Sequence, residues 1–459
     1  MTEKPKRTTF RIRLEDMIAT LRNDIVTGRY GPGDFLPSEF LLIEQFRLSK
    51  NSVRKGLDKL VEQGLIEKVP RVGTRVVRAE SGSPSTIRLG YYTSMIEQVN
   101  MTALLDLFHR AHPTIAVQPV PLPHIRLPIE WVDFMKAEPV DVLTVNNQLF
   151  ERIGEIGPVA DYLEPLKRAE GAYPFLFDSF TDDDALYAQP FVFSPLVLCY
   201  NKSHFRQAGL AEPDSGWTWD DVARASKRLS GNNRGHLGFY MHYLSLNRWP
   251  LFLLQNRLRF ERGSDGRLSF DRSRFEEAAT IGAALLAESK AVSAYLSETD
   301  ADAERLFLQQ KVSMIVTSYF SLNSLRNTDL DYDISPLPRS GQAATLLLPI
   351  GLGVNKYGKR KDAAHTFVDF CLSDEAQLLL RRTTMSVPAL TRAAEREEED
   401  GLNRPSRFFL YRDIASTFRE YSDMNITYIE LDRMAEELKL YWAGLEDMET
   451  VCRRIEDHV

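Results

Sequence analysis

Nowhere does this chain of 459 residues hold an apolar run of eighteen or more residues, the length a helix needs to cross a bilayer, so no membrane partner is expected. Cysteine is scarce. Cys199, Cys371 and Cys452 are odd in number and far apart, which excludes a disulfide framework or a CxxC metal site and points to a reducing compartment. The first residues, MTEKPKRTTFRIRLEDMIATLRNDIV, scatter charge through their apolar positions, without the unbroken apolar core and small-residue cleavage site of a secretory signal. A cytoplasmic chain is expected.

The usual signatures of catalysis are missing as well. There is no nucleophile elbow, metalloprotease helix or Gly-Lys-Ser phosphate loop, and Gly351-Leu352-Gly353 lacks the third glycine of a dinucleotide loop. His109/His112 and His236/His242 have no third ligand at a recognisable spacing. Asp182-Asp183-Asp184 lacks the glycine and distal glutamate of a calcium loop. Neither a metal, a cofactor nor an enzymatic activity is expected.

What remains is an ordinary globular composition, 43% hydrophobic and 26% charged, long enough for about three structural units. The charge is unevenly placed. Residues 1–78 hold 16 basic and 10 acidic residues, net +6, whereas the remainder holds 41 and 54, net −13. A small basic head on a large acidic body suits a polyanion-binding module carried by something with a different task.

In the head, Leu14, Met17, Ile18, Leu21 and Ile25 recur at three and four, predicting a helix that ends at Gly28. Ser38 stands as N-cap to a second, short helix burying Leu41, Leu42 and Phe46. Ser49 caps a third, which buries Val53, Leu57, Leu60 and Val61 and ends at Gly64. The tight Arg47-Leu48 connection makes the last two a helix-turn-helix. Lys50, Asn51, Arg54 and Lys55 lie on the first turns of the third helix, away from its apolar stripe. Arg or Lys to guanine and Asn to adenine are pairings the major groove accepts, so this is a candidate recognition helix. Residues 65–69 and 74–77 then read as a hairpin wing around Pro70-Arg71-Val72-Gly73, with Arg71 and Arg75 placed for phosphates or the minor groove.

The phrases IVTGRYGPGDFLPSE, FRLSKNSVRKGLDKLVEQGLIEKV and GTRVV, taken together over residues 10–77, resemble the winged-helix domain of the GntR family of bacterial transcription factors. The resemblance implies DNA contacts at Phe40, Ser49, Lys50, Asn51, Arg54 and around Arg71 and Gly73. Phe40 and Lys50 stand where the family often has arginine, and Arg71 replaces the usual first wing glycine. Phe40 therefore reads as a core or interdomain aromatic.

Residues 79–86 are small, polar and broken by Gly and Pro, a linker composition. From Ile87 short apolar runs alternate with helical patterns, predicting an α/β domain with a largely parallel sheet over residues 87–459. The run DDALYAQPFVFSPLVLCYNKSHFRQAGLAEPDSGWTWDDVARASKRLS, followed by RLFLQQKVSMIVTSYF, YDISPLP and LPIGLGVNKYGKRKDAAHTFVDFCLSDEAQ, resembles the extracellular solute-binding proteins of sugar importers. That resemblance implies a periplasmic-binding-protein-like clamshell of two α/β lobes, with chain crossings near 191–200 and 332–338. It also implies a cleft holding Tyr92, Thr93, Asn146, Asn147, Phe193, Ser194, Tyr243, Trp249, Tyr319, Phe320 and Ser386. Trp249 and Phe320 are the expected stacking platforms, because aromatic faces suit the apolar faces of pyranose rings. Pro349-Ile350 departs from the family, which often has glycine and an aromatic there.

The two halves predict a multidomain α/β regulator: an N-terminal winged helix on operator DNA and a clamshell sensing a saccharide, expected to work as a homodimer on a two-fold site. A sugar importer's binding component is the alternative, and a saccharide-processing enzyme a more distant one.

Overall fold

The computed structural model describes residues 13–458 except 15–16, 19, 23, 26–28, 32, 63–64, 71, 78–84, 124–127, 138–139, 232–234, 265, 289–298 and 399–400. Arg71, Gly28, Gly64 and most of the expected linker lie outside the described residues. The chain splits into two compact units, residues 1–86 with 113–116, and residues 87–112 with 117–459.

In the first unit, helix α1 runs through the described positions of 13–25 and buries Met17, Ile18 and Leu21. Helix α2, Glu39–Phe46, opens where the Ser38 hydroxyl accepts the Leu41 N–H at 3.3 Å. Its turn into the next helix is made by Arg47 in the left-handed region, φ 50°. Helix α3, Lys50–Glu62, starts with the Ser49 hydroxyl accepting the Ser52 N–H at 3.3 Å. An unpartnered N–H at a helix start is thereby satisfied at both caps. Leu42, Leu48, Val53, Leu57, Leu60, Ile66 and Val76 complete the core around α1. Gly56 permits the close crossing of α1 and α3, since a Cβ there would collide with Met17 Cε.

Three expected core positions are corrected. Leu41 is 53% exposed, Val61 37% and Phe40 67%, because α2 is only two turns long and turns Leu42 inward, while Val61 sits at the edge of the α3 stripe. Strands β1, Ile66–Val69, and β2, Gly73–Val76, form an antiparallel wing with Ile66 opposite Val76 and Val69 opposite Gly73. Gly73 opens β2 at φ 148°, a conformation L side chains rarely adopt.

The second unit is built on one sheet of ten strands among the described residues. It begins with β3, Ser85–Tyr91, the helix α4, Met101–Ala111, and β4, Ile115–Pro121. Next come β5, Val142–Asn146, the helix α5, Asn147–Ile156, and β6, Ala188–Asn201. The second half contributes β7, Leu237–Tyr240, the helix α6, Asp300–Leu308, β8, Val312–Ser318, β9, Tyr332–Ser335, and β10, Thr345–Val354. The main path is β4-β3-β5-β10-β6-β8-β7, with β9 also on β6.

The sheet is mixed rather than largely parallel. β3 and β5 are parallel, as are β8 and β7, but β10 is antiparallel to both β5 and β6. The reason is the pair of strands that join the lobes, which run in opposite senses at the sheet's centre. Residues 188–195 of β6 pair with β10, while residues 196–201 pair with β8 and β9. All fourteen positions of β6 are buried. The first lobe packs α4 on the sheet with Phe108 edge-on to Phe367, ring centroids 5.0 Å apart. The second lobe gathers Trp219, Trp249, Phe252, Phe260, Phe275, Met314 and Leu431 into its own core.

Candidate functional site

On the first unit the apolar stripe of α3 faces inward, which leaves Lys50, Asn51, Arg54 and Lys55 exposed together over its first two turns. Arg54 Nε donates to both oxygens of Glu39 on α2, at 3.0 and 3.1 Å. Across the wing, Arg75 Nε donates to Glu67 Oε1 at 2.9 Å, the two being register partners on β2 and β1. Both arginines are about half exposed, so these pairs hold the side chains in place without removing them from solvent. Gly73 and Val72 stand exposed at the wing turn, and Ser49 is occupied as a cap, with its hydroxyl also 2.9 Å from the Ser52 hydroxyl.

In the second unit a cavity of about 730 Å³ opens between the lobes. The first lobe supplies Ser94, Glu97 and Gln98 from the loop and short helix that follow β3. The second supplies Asn247 and Arg248 from the turns after β7, Asp300 and Glu304 from α6, and Phe320, Ser321, Asn323 and Arg326 after β8. Loops at the ends of sheet strands thus converge on the space. Arg326 ties the two walls together, donating to the Glu97 carbonyl at 3.0 Å and its carboxylate at 2.5 Å. Farther along the lobe interface Gln148 Nε2 donates to Asn247 Oδ1 at 3.0 Å.

Arg248 is the electrostatic centre of the cavity, with a side chain 3% exposed. It donates to the carbonyls of Val316 and Asn247 at 3.2 Å, and its guanidinium lies 3.5 Å from Asp300 and 3.7 Å from Glu304. Burial alone would raise the Asp300 carboxyl, but Arg248, His242 and Ser245 outweigh it and hold the group at about 2. Burial, reinforced by the negative charge of Asp300, raises Glu304 against the opposing pull of Arg248.

Of the residues expected in the cleft, Phe320 lines this cavity. Trp249 is 1% exposed and sits edge-on to Trp442 at 6.4 Å, with Tyr243, 2% exposed, on the same ring at 6.5 Å. Both belong to the second lobe's core, so Trp249 has no free face for stacking. Phe193 is likewise enclosed, edge-on to Tyr173, Phe175 and Tyr411. Ser194 accepts the Tyr319 N–H at 2.6 Å, and the Tyr319 hydroxyl donates to the Phe408 carbonyl at 2.9 Å, which places this pair inside the hinge.

Asn146 caps α5 by accepting the Leu149 N–H at 2.8 Å and also accepts the Tyr92 hydroxyl at 3.3 Å. Asn147 is buried, and Thr93 is exposed one residue before the cavity wall. Ser386 backs that wall, donating to the Gln98 carbonyl at 2.6 Å. The residues missed, Glu97, Gln98, Arg248, Asp300, Glu304 and Arg326, are charged or amide side chains. The one available signal, position in the segments that follow strands, covers Glu97, Gln98, Arg248 and Arg326 but not Asp300 and Glu304, which lie on α6.

Two lobes joined by hinge strands around a polar cavity define a solute-binding clamshell, carried in one chain with a winged helix. The model of the bacterial extracellular solute-binding protein family matches residues 100–378, and the chain belongs to that family. The model of bacterial regulatory proteins of the gntR family matches residues 14–76. The chain is similar to the sn-glycerol-3-phosphate-binding periplasmic protein UgpB of Agrobacterium fabrum, 24% identical over 66% of this chain and 73% of the relative. Its head is similar to the uncharacterized HTH-type transcriptional regulator YieP of Escherichia coli, 42% identical over 12% of this chain and a quarter (25%) of that protein. Among solved structures it resembles maltose-bound T. maritima MalE3, TM-score 0.69 at 18% identity, over 81% of this chain and 98% of that one. It also resembles an ABC substrate-binding protein of Listeria monocytogenes in complex with cycloalternan, TM-score 0.66 at 19% identity, over 81% and 97%.

Proposed function

We propose that this protein is a cytoplasmic transcription regulator that binds operator DNA as a homodimer and senses a saccharide in the interlobe cavity. The observation that carries the reading is the presence, in one chain, of an exposed Lys50/Asn51/Arg54 surface on a gntR-type winged helix and a polar interlobe cavity of about 730 Å³. Lys50, Asn51 and Arg54 read base edges in the major groove, while Arg75, Gly73 and Arg71 bring the wing to the backbone. The cavity is large enough for a small saccharide, and carboxylates and amides suit its hydroxyls.

Coupling is by linkage. A ligand that binds the closed clamshell better than the open one shifts the lobe equilibrium, and operator affinity changes by a coupling free energy of about 1 to 3 kcal/mol if the heads respond to closure. The periplasmic solute-binding relatives motivate a second reading, a component of an importer. Binding of the full chain to duplex DNA selected from random sequence, measured with and without neutral oligosaccharides, separates the two. Sequence-specific binding altered several-fold by a sugar supports the regulator, and absence of any specific DNA binding overturns it.

A further inference from the structure

On α2, Phe40 stands two residues before Leu42, which is fully buried in the head's core. At about 100° per residue the two positions fall on opposite sides of the helix, so the Phe40 ring is turned outward. It is 67% exposed, and Leu41 beside it 53%. The preceding side chain, Glu39, accepts both contacts from Arg54 Nε at 3.0 and 3.1 Å, which fixes the start of α2 against the first turns of α3. The exposed ring is thereby continuous with the Lys50/Asn51/Arg54 surface, an apolar edge on a cationic face.

A phenyl ring has nothing to offer a phosphate, and Glu44, exposed one turn farther along the same side of α2, repels one. Base edges are different. The major groove presents one apolar group, the 5-methyl of thymine, and aromatic side chains pack on it. Arginine, common at this position in the family that the head resembles, pairs with guanine instead. The substitution of ring for guanidinium therefore changes which base can be read there.

We infer that Phe40 is a specificity-determining residue of the head, packing its ring on a thymine 5-methyl group in each half-site, at a base pair next to the one that Arg54 reads. This rests on the operator-binding reading and deepens it, because the methyl preference is one that neither the cations of α3 nor an arginine at position 40 would impose.

The test uses the full chain and the duplex that it selects from random sequence, with each thymine replaced singly by deoxyuridine. Pairing is kept and only the methyl is lost. At one position per half-site, wild type is expected to lose about fourfold in affinity, the worth of one buried methyl group. Phe40→Ala is expected to bind the thymine duplex at least as weakly as wild type binds that uracil duplex, and to be indifferent to the replacement. It should also keep the wild-type salt dependence, since no phosphate contact is removed. Phe40→Arg is expected to shift selection at that position from thymine to guanine. Both variants should melt with wild type, the ring being exposed.

Wild-type binding that ignores uracil at every position would overturn the inference, as would a Phe40→Ala variant that keeps the wild-type sensitivity. A lowered melting temperature or a changed oligomeric mass in Phe40→Ala, without loss of that sensitivity, assigns the ring to a protein contact and overturns it too. The regulator reading fails differently. Specific DNA binding that is blind to uracil removes the thymine contact and keeps the regulator, whereas absence of any specific binding removes both.

Discussion

The head and the clamshell use arginine in opposite ways. Arg54 and Arg75 are 51% and 46% exposed, each beside a carboxylate that is itself partly in water. Arg248 is 3% exposed, fixed by two carbonyls and flanked by two acids. An exposed pair gains little from its partner and can exchange a carboxylate for a phosphate at small cost. A buried guanidinium cannot be released without leaving charges stranded. Thus the head keeps its cations available for a polyanion, while the clamshell spends its central cation on holding acceptors in position.

The largest expected effect falls on the buried member. Arg248→Ala leaves Asp300 and Glu304 without their cation, and denaturant unfolding is expected to show a loss of about 3 to 5 kcal/mol. A loss under about 1 kcal/mol would erase the contrast. Trp249→Ala should cost the ligand-free protein a similar amount, about 3 to 5 kcal/mol, because the ring is core. A stacking platform would instead leave the ligand-free melting temperature nearly intact.

On the exposed side, Arg54→Ala is expected to weaken specific DNA binding by about 1 to 3 kcal/mol and relax sequence preference, read by binding to a set of single-base operator variants. The smallest effect is for Glu67→Gln, which removes the partner of Arg75. Stability should change by less than about 1 kcal/mol, checked by thermal melting.

A pH test bears on the lobe interface. Glu151 is raised to about 8, first by burial and then by the nearby charge of Glu420, which burial itself raises to about 7 against the Ser179 hydrogen bond. Both carboxyls are more easily protonated in the folded state than their ordinary value of 4.5. Their contribution is therefore complete below about pH 4.5 and is lost as pH rises through about 7 to 8. Urea midpoints of wild type should fall across that window, and Glu151→Gln with Glu420→Gln should flatten the fall.

The head was largely legible because its helices are local: Ser38 and Ser49 cap where their side chains must, and Val53, Leu57 and Leu60 recur at helical spacing. Leu41 and Phe40 misled because apolar identity does not say which side of a two-turn helix faces in. In the clamshell, family phrases carried the architecture, but of the cavity wall only Phe320 was legible. Trp249 looks like a sugar platform by type, yet Trp442, nearly two hundred residues later, closes over it. Asp300 reads as an acidic first-turn residue of α6, one that suits a helix start, and nothing local brings it beside Arg248. Such meetings are set by which strands the sheet places side by side.

The fourteen-residue strand β6 has a mechanical consequence. Its first eight residues pair along one lobe's strand and its last six along the other's, with a register shift at Ile350/Gly351 and prolines at 190 and 195. Neither lobe can be pulled apart without loosening the end of a rod that the other also grips. The amides flanking Pro195, those of Val192 and Val197 among them, are accordingly expected to be among the slowest of the clamshell to exchange with solvent.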